Sequence, residues 1–550
     1  MAKGVLLLLR RVRLRLKSGQ SRRAMENASS TATTNSLIIE DGPAMLLDIP
    51  VKPVTAAEVR PRGVLATVFS FPVVRVVLLV MMAVFTFRGR FNTTDTWWDL
   101  KTGEVIWNTH HVPTVDTFSF TTNNHTVVPH EWLAQLSIYA AYHFGGYVGM
   151  AVWFYVIASL LSIAGYALCW LYSGSGKVAF LGGLGIWFFA TIGFSIRAQL
   201  IGYMLLVCEL LIVWLGCARN RRWFLLLPPL FALWVNCHGS FLLGLVVIGA
   251  VLACSFLEFR TGLLVSHRWA GKERNMLATA FVLSIGALFV NPVGLPQLTY
   301  PIDTMFNQPL QKEFISEWPP MPFSDPRAWG LLAIAGLILL VPLLRRIELT
   351  LQELLLVGLG FELAVQHQRM VFVFGILAMP VLCRLCAAAW NRRGMNRNRV
   401  LLNAVVITIA TTMMVQRLPS SRELTEELTK GNPAKALNFI RRAGLSGRML
   451  NDYNYGGYLI WAAPERKVFA DGRGDVYEWT GVLKDYIRWV KLLEDPRFLL
   501  GKYRIDYCLL NRDAPISRVM QLLPDWKSVY SDDMSVVFVR SAANTSPIRK

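Results

Sequence analysis

Eleven apolar runs, each long enough or nearly long enough to cross a bilayer as a helix, follow one another between Thr67 and Val415. They fall near Thr67–Phe87, Tyr147–Tyr172, Val178–Ile196, Leu200–Cys217, Trp223–Val235, Phe241–Phe259, Met276–Val290, Ala328–Leu344, Leu349–Ala364, Met370–Ala388 and Val400–Val415. With 54% hydrophobic and 17% charged residues and a mean hydropathy of +0.40, the chain has too few polar groups to coat a soluble globule. It reads as a polytopic membrane protein. The formal charge of +20 does not call for nucleic acid, because Lys and Arg cluster in short joints between the apolar runs, where the positive-inside rule expects them. Seven of the eight cysteines lie in or beside those runs, so neither a disulfide framework nor a zinc site is indicated.

Charge also sets the expected orientation. Residues 1–62 are basic and carry no sustained apolar period, which predicts a disordered cytoplasmic arm. Residues 63–416 form the transmembrane domain, with an acidic outer loop over 88–146. Within that loop "EWLAQLSIYAAYHF" is short and half polar. Counting it as a span would put the basic joints "ARNRRW" and Arg260–Arg274 outside, so it is expected as an interfacial or re-entrant helix. From residue 417 to 550 the long runs stop. Helical periods ("PAKALNFIRRAGL", "VLKDYIRWVKLLEDP") alternate there with β-rich runs ("KVFA", "IDYCLL", "MSVVFVR"), which predicts a soluble extracytoplasmic α/β domain.

With this parity the basic joints face the cytoplasm and five polar joints face outward together. Asp95 and Asp99 follow the first span; Arg197 and Gln199 lie in "SIRAQL", Asn236 and His238 in "WVNCHGS", and His367 and Arg369 in "VQHQRM". "NPVGLPQLTYP" opens the fifth joint. Ionisable groups at membrane depth are costly and usually face an interior or a wet cavity, so a mixed-charge site on one face is expected.

The motifs "DTWWDLKTGEVIW…VPTVDTFSFT…HEWLAQL", "WVNCHGSFLLG", "NPVGLPQLTYP…EW" and "NYGGYLIW…KVFADGRGDVY" together resemble a bacterial family of multi-span proteins commonly labelled membrane glycosyltransferases, over roughly Asp95 to Tyr530. More remotely the layout is similar to the GT-C fold of polyprenyl-phosphate-sugar-dependent transferases. That resemblance implies a GT-C-like helical membrane bundle with a C-terminal soluble α/β domain, working at the outer face of the bacterial inner membrane. Its donor would be a polyprenyl-phosphate sugar and its acceptor a glycan, protein or lipid. An early aspartate of the first outer loop serves in that fold as base or metal ligand, and Asp95 holds the corresponding place. The Asp-Glu pair and sequon-reading motifs of oligosaccharyl transferases do not occur in this chain.

The expected roles follow. Asp95 is the base. Asp99 orients it or shares a divalent cation with it, the metal and any cofactor being otherwise unknown. Arg197 and Arg369 bind phosphate, with His238, Gln199 and His367 beside them. Each residue also has a plainer use. Trp97 and Trp98 belong to an interfacial belt or stack on sugar; Asp95 and Asp99 cap a helix or pair with Arg88 and Arg90; Asp116 is a turn residue or a substrate contact. Asp471, Arg473 and Asp475 of "DGRGD" form a turn that folds the outer domain or touches substrate, and His110, His111 and His130 read as surface histidines. Mid-span Glu209 would matter more in the alternative, a non-enzymatic transporter or glycan-assembly scaffold.

Overall fold

The computed structural model describes residues 64–86, 93–122, 124–314, 317–390 and 399–541. The basic arm expected over 1–62, Arg88, Arg90 and most of the joint "NRRGMNRNR" lie outside these residues.

All eleven apolar runs are helical. The helices are α1 (Phe71–Thr86), the second half of α3 (Trp132–Ser173), α4 (Gly176–Ala190), α5 (Gln199–Ala218), α6 (Leu227–Cys237), α7 (Phe241–Cys254), α8 (Gly271–Ala287), α10 (Pro326–Arg345), α11 (Leu351–Gln366), α12 (Val371–Ala389) and α13 (Val400–Arg417). Two further helices, α2 (Thr94–Thr109) and α9 (Leu295–Phe306), lie in the joints between them. Five helical segments among the described residues are long and apolar enough to cross a membrane, and α1, α4 and α7 are shorter apolar helices. This is a multi-pass membrane protein. Leu339 and Leu343 of α10 and Leu401 and Ile409 of α13 are exposed, as lipid-facing side chains would be.

The 42-residue α3 is two helices. Gly146 sits at φ 57°, ψ −146°, a conformation that breaks the helix and that glycine tolerates without a Cβ penalty. In a straight helix Ser137 and Trp153 would stand about 24 Å apart. Trp153 Nε1 instead donates to Ser137 Oγ at 3.1 Å, so the chain doubles back. "EWLAQLSIYAAYHF" therefore runs antiparallel against the span that follows it.

Two of the basic joints meet at one end of the bundle. Strands β1 (Phe259–Thr261) and β2 (Leu264–Ser266) form a hairpin, and β3 (Leu349–Thr350) adds to it in parallel. Beside it Arg384 of α12 makes two 2.5 Å hydrogen bonds to Glu353, which also closes a capping box with Thr350 at the start of α11.

At the other end sits a four-stranded mixed sheet ordered β4 (Met449–Asn451), β5 (Tyr507–Asn511), β7 (Ser535–Arg540), β6 (Trp526–Ser531). Strands β4 and β5 are parallel and the other pairs antiparallel. "IDYCLL" and "MSVVFVR" form β5 and β7. "KVFA" does not enter the sheet; Val468 instead makes one parallel bridge to Ser119 of the outer loop. Helix α14 (Tyr453–Ala462) packs Gly457 against the start of α2 and Gly456 against the Ala470–Asp471 backbone. A Cβ on Gly457 would stand 2.2 Å from the Thr94 carbonyl oxygen, so only glycine allows this approach.

Candidate active site

Between α2, the bundle and α14 lies a cavity of about 780 Å³. Its polar wall carries Asp95, Asp99, Glu131, Arg197, His238 and Arg369, and its apolar wall includes Leu206, Leu243, Val246, Leu363 and Val373. Five joints separated by as much as 274 residues meet here (Asp95 to Arg369), the fifth contributing Tyr300 and Pro301.

Asp95 stands in the first turn of α2, where Thr93 accepts the cap hydrogen bond and the helix dipole favours a carboxylate. The neighbouring Thr96 Oγ1 donates to the Ile196 carbonyl at 2.9 Å, pinning α2 to the turn that bears Arg197. Arg197 Nη2 bonds Asp95 Oδ2, and Trp98 Nε1 donates to Oδ1 at 3.3 Å. Burial raises the Asp95 pKa above its ordinary value despite Arg197. Asp99, one turn on, accepts from Gln135 Nε2 at 3.0 Å; burial and then the nearby Glu131 and Asp95 charges push its pKa well up. Asp95 is engaged by Arg197 and Trp98, and among the described residues no group of three or more His, Cys, Asp or Glu side chains is arranged as metal ligands.

Arg197 also donates from Nη1 to Glu317 Oε1 at 2.6 Å, so two carboxylates share its guanidinium. Arg369 differs. Among the described residues it has no ion pair, and its guanidinium lies 4.7 Å from the centre of the Trp318 ring. Tyr203, which Gln199 contacts, donates its hydroxyl to the Arg369 carbonyl at 3.1 Å and holds that turn.

Glu131 caps the other side. Its Oε1 lies 3.5 Å from His238 Nε2 and 3.6 Å from His130 Nε2. His238 Nδ1 accepts the Ser240 backbone N–H at 3.1 Å, which requires that nitrogen to be unprotonated. The ring is therefore neutral with its proton on Nε2, in keeping with a pKa that burial lowers to about 4. Burial alone would raise Glu131, but His130 and the cationic surroundings outweigh it and hold the carboxyl at about 2. His130, expected at the surface, is largely buried and stacks on Tyr300 with centroids 3.9 Å apart.

The other expected residues divide. Gln199, Trp98, Arg473 and Asp475 line the cavity. Trp97, buried against Tyr458, is outside its lining, and so is His367, whose Nδ1 contacts the Trp318 carbonyl at 2.7 Å. Asp116 and Asp471 are fully enclosed around Arg473, and His110 and His111 are exposed. Glu131, Glu317, Tyr203 and Tyr300 also line the cavity, and no motif or spacing in the sequence marks them for it. The two glutamates stand in motifs already noted, "HEW" and "EW", but nothing local shows which way they point.

No protein-family model and no curated protein sequence matches this chain. Solved structures do. The oligosaccharyltransferase AglB from Archaeoglobus fulgidus, in complex with an inhibitory peptide and a dolichol-phosphate, superposes with a TM-score of 0.53 at 11% identity, covering 86% of this chain and 75% of that one. ArnT from Cupriavidus metallidurans bound to undecaprenyl phosphate gives 0.50 at 12% identity over 86% and 99%, and its apo state 0.51 at 13% over 86% and 98%. The fold is GT-C-like, structurally similar to polyprenyl-phosphate-dependent glycosyltransferases at low sequence identity.

Proposed function

We propose that this chain is an inverting glycosyltransferase that moves a sugar from a polyprenyl-phosphate donor to an acceptor hydroxyl at the outer face of a bacterial inner membrane. One observation carries the reading: a carboxylate, Asp95, and a guanidinium without an ion-pair partner among the described residues, Arg369, line one cavity that also has an apolar wall. Asp95 takes the acceptor O–H proton as the acceptor oxygen bonds the anomeric carbon. The bond from that carbon to the phosphate oxygen breaks with its electron pair, and Arg369 holds the phosphate on which the charge appears. Arg197 orients Asp95 and, lining the same cavity as Arg369, is the second cation for the phosphate; Leu206, Leu243 and Val246 offer a surface for the first isoprene units.

Eleven spans after a cytoplasmic N-terminus would put the region 417–550 outside, together with the cavity that its helix α14 and "DGRGD" turn help to line. Purified protein given a panel of polyprenyl-phosphate sugars, candidate acceptors and divalent cations tests the activity. Glycosyl release is expected, and its absence across the panel would favour a transporter or scaffold.

A further inference from the structure

The short motif "EW", Glu317-Trp318, has no part in the proton and phosphate chemistry above, yet it stands at the centre of the cavity's charge. The Glu317 carboxylate bonds Arg197 Nη1 at 2.6 Å. Its backbone is attached to the joint that carries the second arginine. The Arg369 N–H donates to the Glu317 carbonyl at 3.2 Å, the Gln368 N–H donates to the Pro319 carbonyl at 3.0 Å, and His367 Nδ1 contacts the Trp318 carbonyl at 2.7 Å. The Trp318 ring, in turn, faces the Arg369 guanidinium. Glu317 is thus an anion delivered to the two arginines by the same turn that positions one of them.

Resting on the donor reading above, we infer that Glu317 is a built-in competitor for the phosphate subsite, occupying Arg197 until the lipid phosphate displaces it and thereby setting donor affinity. Charge balance supports this. Asp95, Glu317, Arg197 and Arg369 together carry as many negative as positive charges. A lipid phosphate entering beside an unmoved Glu317 would add its full charge to an already balanced group, whereas one that replaces Glu317 has part or all of that charge offset by Arg197. Glu317 is also the most exposed of the three ion-paired side chains: 36%, against 20% for Asp95 and 18% for Arg197. Its carboxyl is nonetheless held ionised below its ordinary range, since the Arg197 and Arg369 charges outweigh its burial. A surface-edge carboxylate can leave for water at small cost, while Asp95, fixed in the first turn of α2, cannot.

The alternative is that Glu317 only holds Arg197 in place. The two predict opposite signs. For full-length protein in detergent, undecaprenyl phosphate should bind Glu317→Gln about fivefold more tightly than the unsubstituted protein, the scale of a partly exposed ion pair. Uncharged undecaprenol should bind both equally. Weaker phosphate binding by Glu317→Gln, equal binding, or equal tightening for undecaprenol would each overturn the inference. Should Glu317→Gln not fold, Glu317→Asp keeps the charge but shortens the reach, and a smaller tightening is expected; loosening would overturn the inference. If the unsubstituted protein does not bind undecaprenyl phosphate at all, the donor reading itself fails, which separates the two failures.

Discussion

Two clusters of carboxylates and guanidinium meet the outer loop, and they are built on opposite principles. Around Arg473 everything is satisfied. Nη1 bonds Asp116 at 2.8 Å, Nη2 and Nε bond Asp471 at 2.6 and 2.8 Å, and Ser119, Thr122 and Tyr477 supply further hydrogen bonds to the two carboxylates. Both aspartate side chains are 0% exposed. Around Arg197 the same residue types leave capacity unused: Asp95 is 20% and Glu317 36% exposed, and Arg369 nearby lacks an ion-pair partner among the described residues. A saturated buried network fastens the outer loop to the "DGRGD" turn of the C-terminal region. An unsaturated one at a cavity wall keeps the capacity to bind something else.

The comparison is most exposed to failure at Asp95. Asp95→Asn keeps the side-chain shape while removing the proton acceptor, so turnover should fall by roughly two to four orders of magnitude with little change in melting temperature. Turnover that survives intact would remove Asp95 as the base. In the other cluster, Asp471→Asn should act on the fold. Breaking one partner of a buried ion pair costs about 3–5 kcal/mol, so a large drop in melting temperature is expected while the folded fraction keeps its donor KM. A changed KM with unchanged stability would mean that the "DGRGD" turn touches substrate after all.

Arg369→Lys comes next, with donor affinity about tenfold weaker, because an ammonium cannot reproduce the planar fork on a phosphate. An unaltered affinity would leave the phosphate to Arg197 alone. The smallest effect is a separation on acidification. Burial lifts the Asp95 pKa above its ordinary range, so as pH falls the base is protonated, and turnover declines, before an ordinary aspartate would titrate. Asp116 has the opposite sign: Arg473 and the Ser119 and Thr122 hydroxyls outweigh its burial and lower its pKa. Its contribution to stability is complete above the unfolded value and is lost only as pH falls through the lower folded one, below about pH 4. Parallel pH profiles of turnover and melting temperature should separate in that order; coincident profiles would show that the two clusters are one network.

Much of this was legible without coordinates. Apolar runs of helical length became helices because a chain in lipid has to satisfy its backbone internally, and the half-polar "EWLAQLSIYAAYHF" became a separate arm because Gly146 permits the reversal. That Asp95, Arg197, His238 and Arg369 line one cavity could be anticipated, since each ends or begins a span on the same predicted side. Which of them would be free could not. Arg197 meets Asp95 across 102 residues and Glu317 across 120, and Arg473 meets Asp116 across 357. Periodicity places a residue on a helix end, but it carries no information about which carboxylate a distant helix end will present to it. That choice is made by packing: by Gly457 letting α14 close onto Thr94, by Thr96 bonding Ile196, and by the "EW" backbone pairing with the joint at Arg369, contacts that exist only once the bundle has assembled.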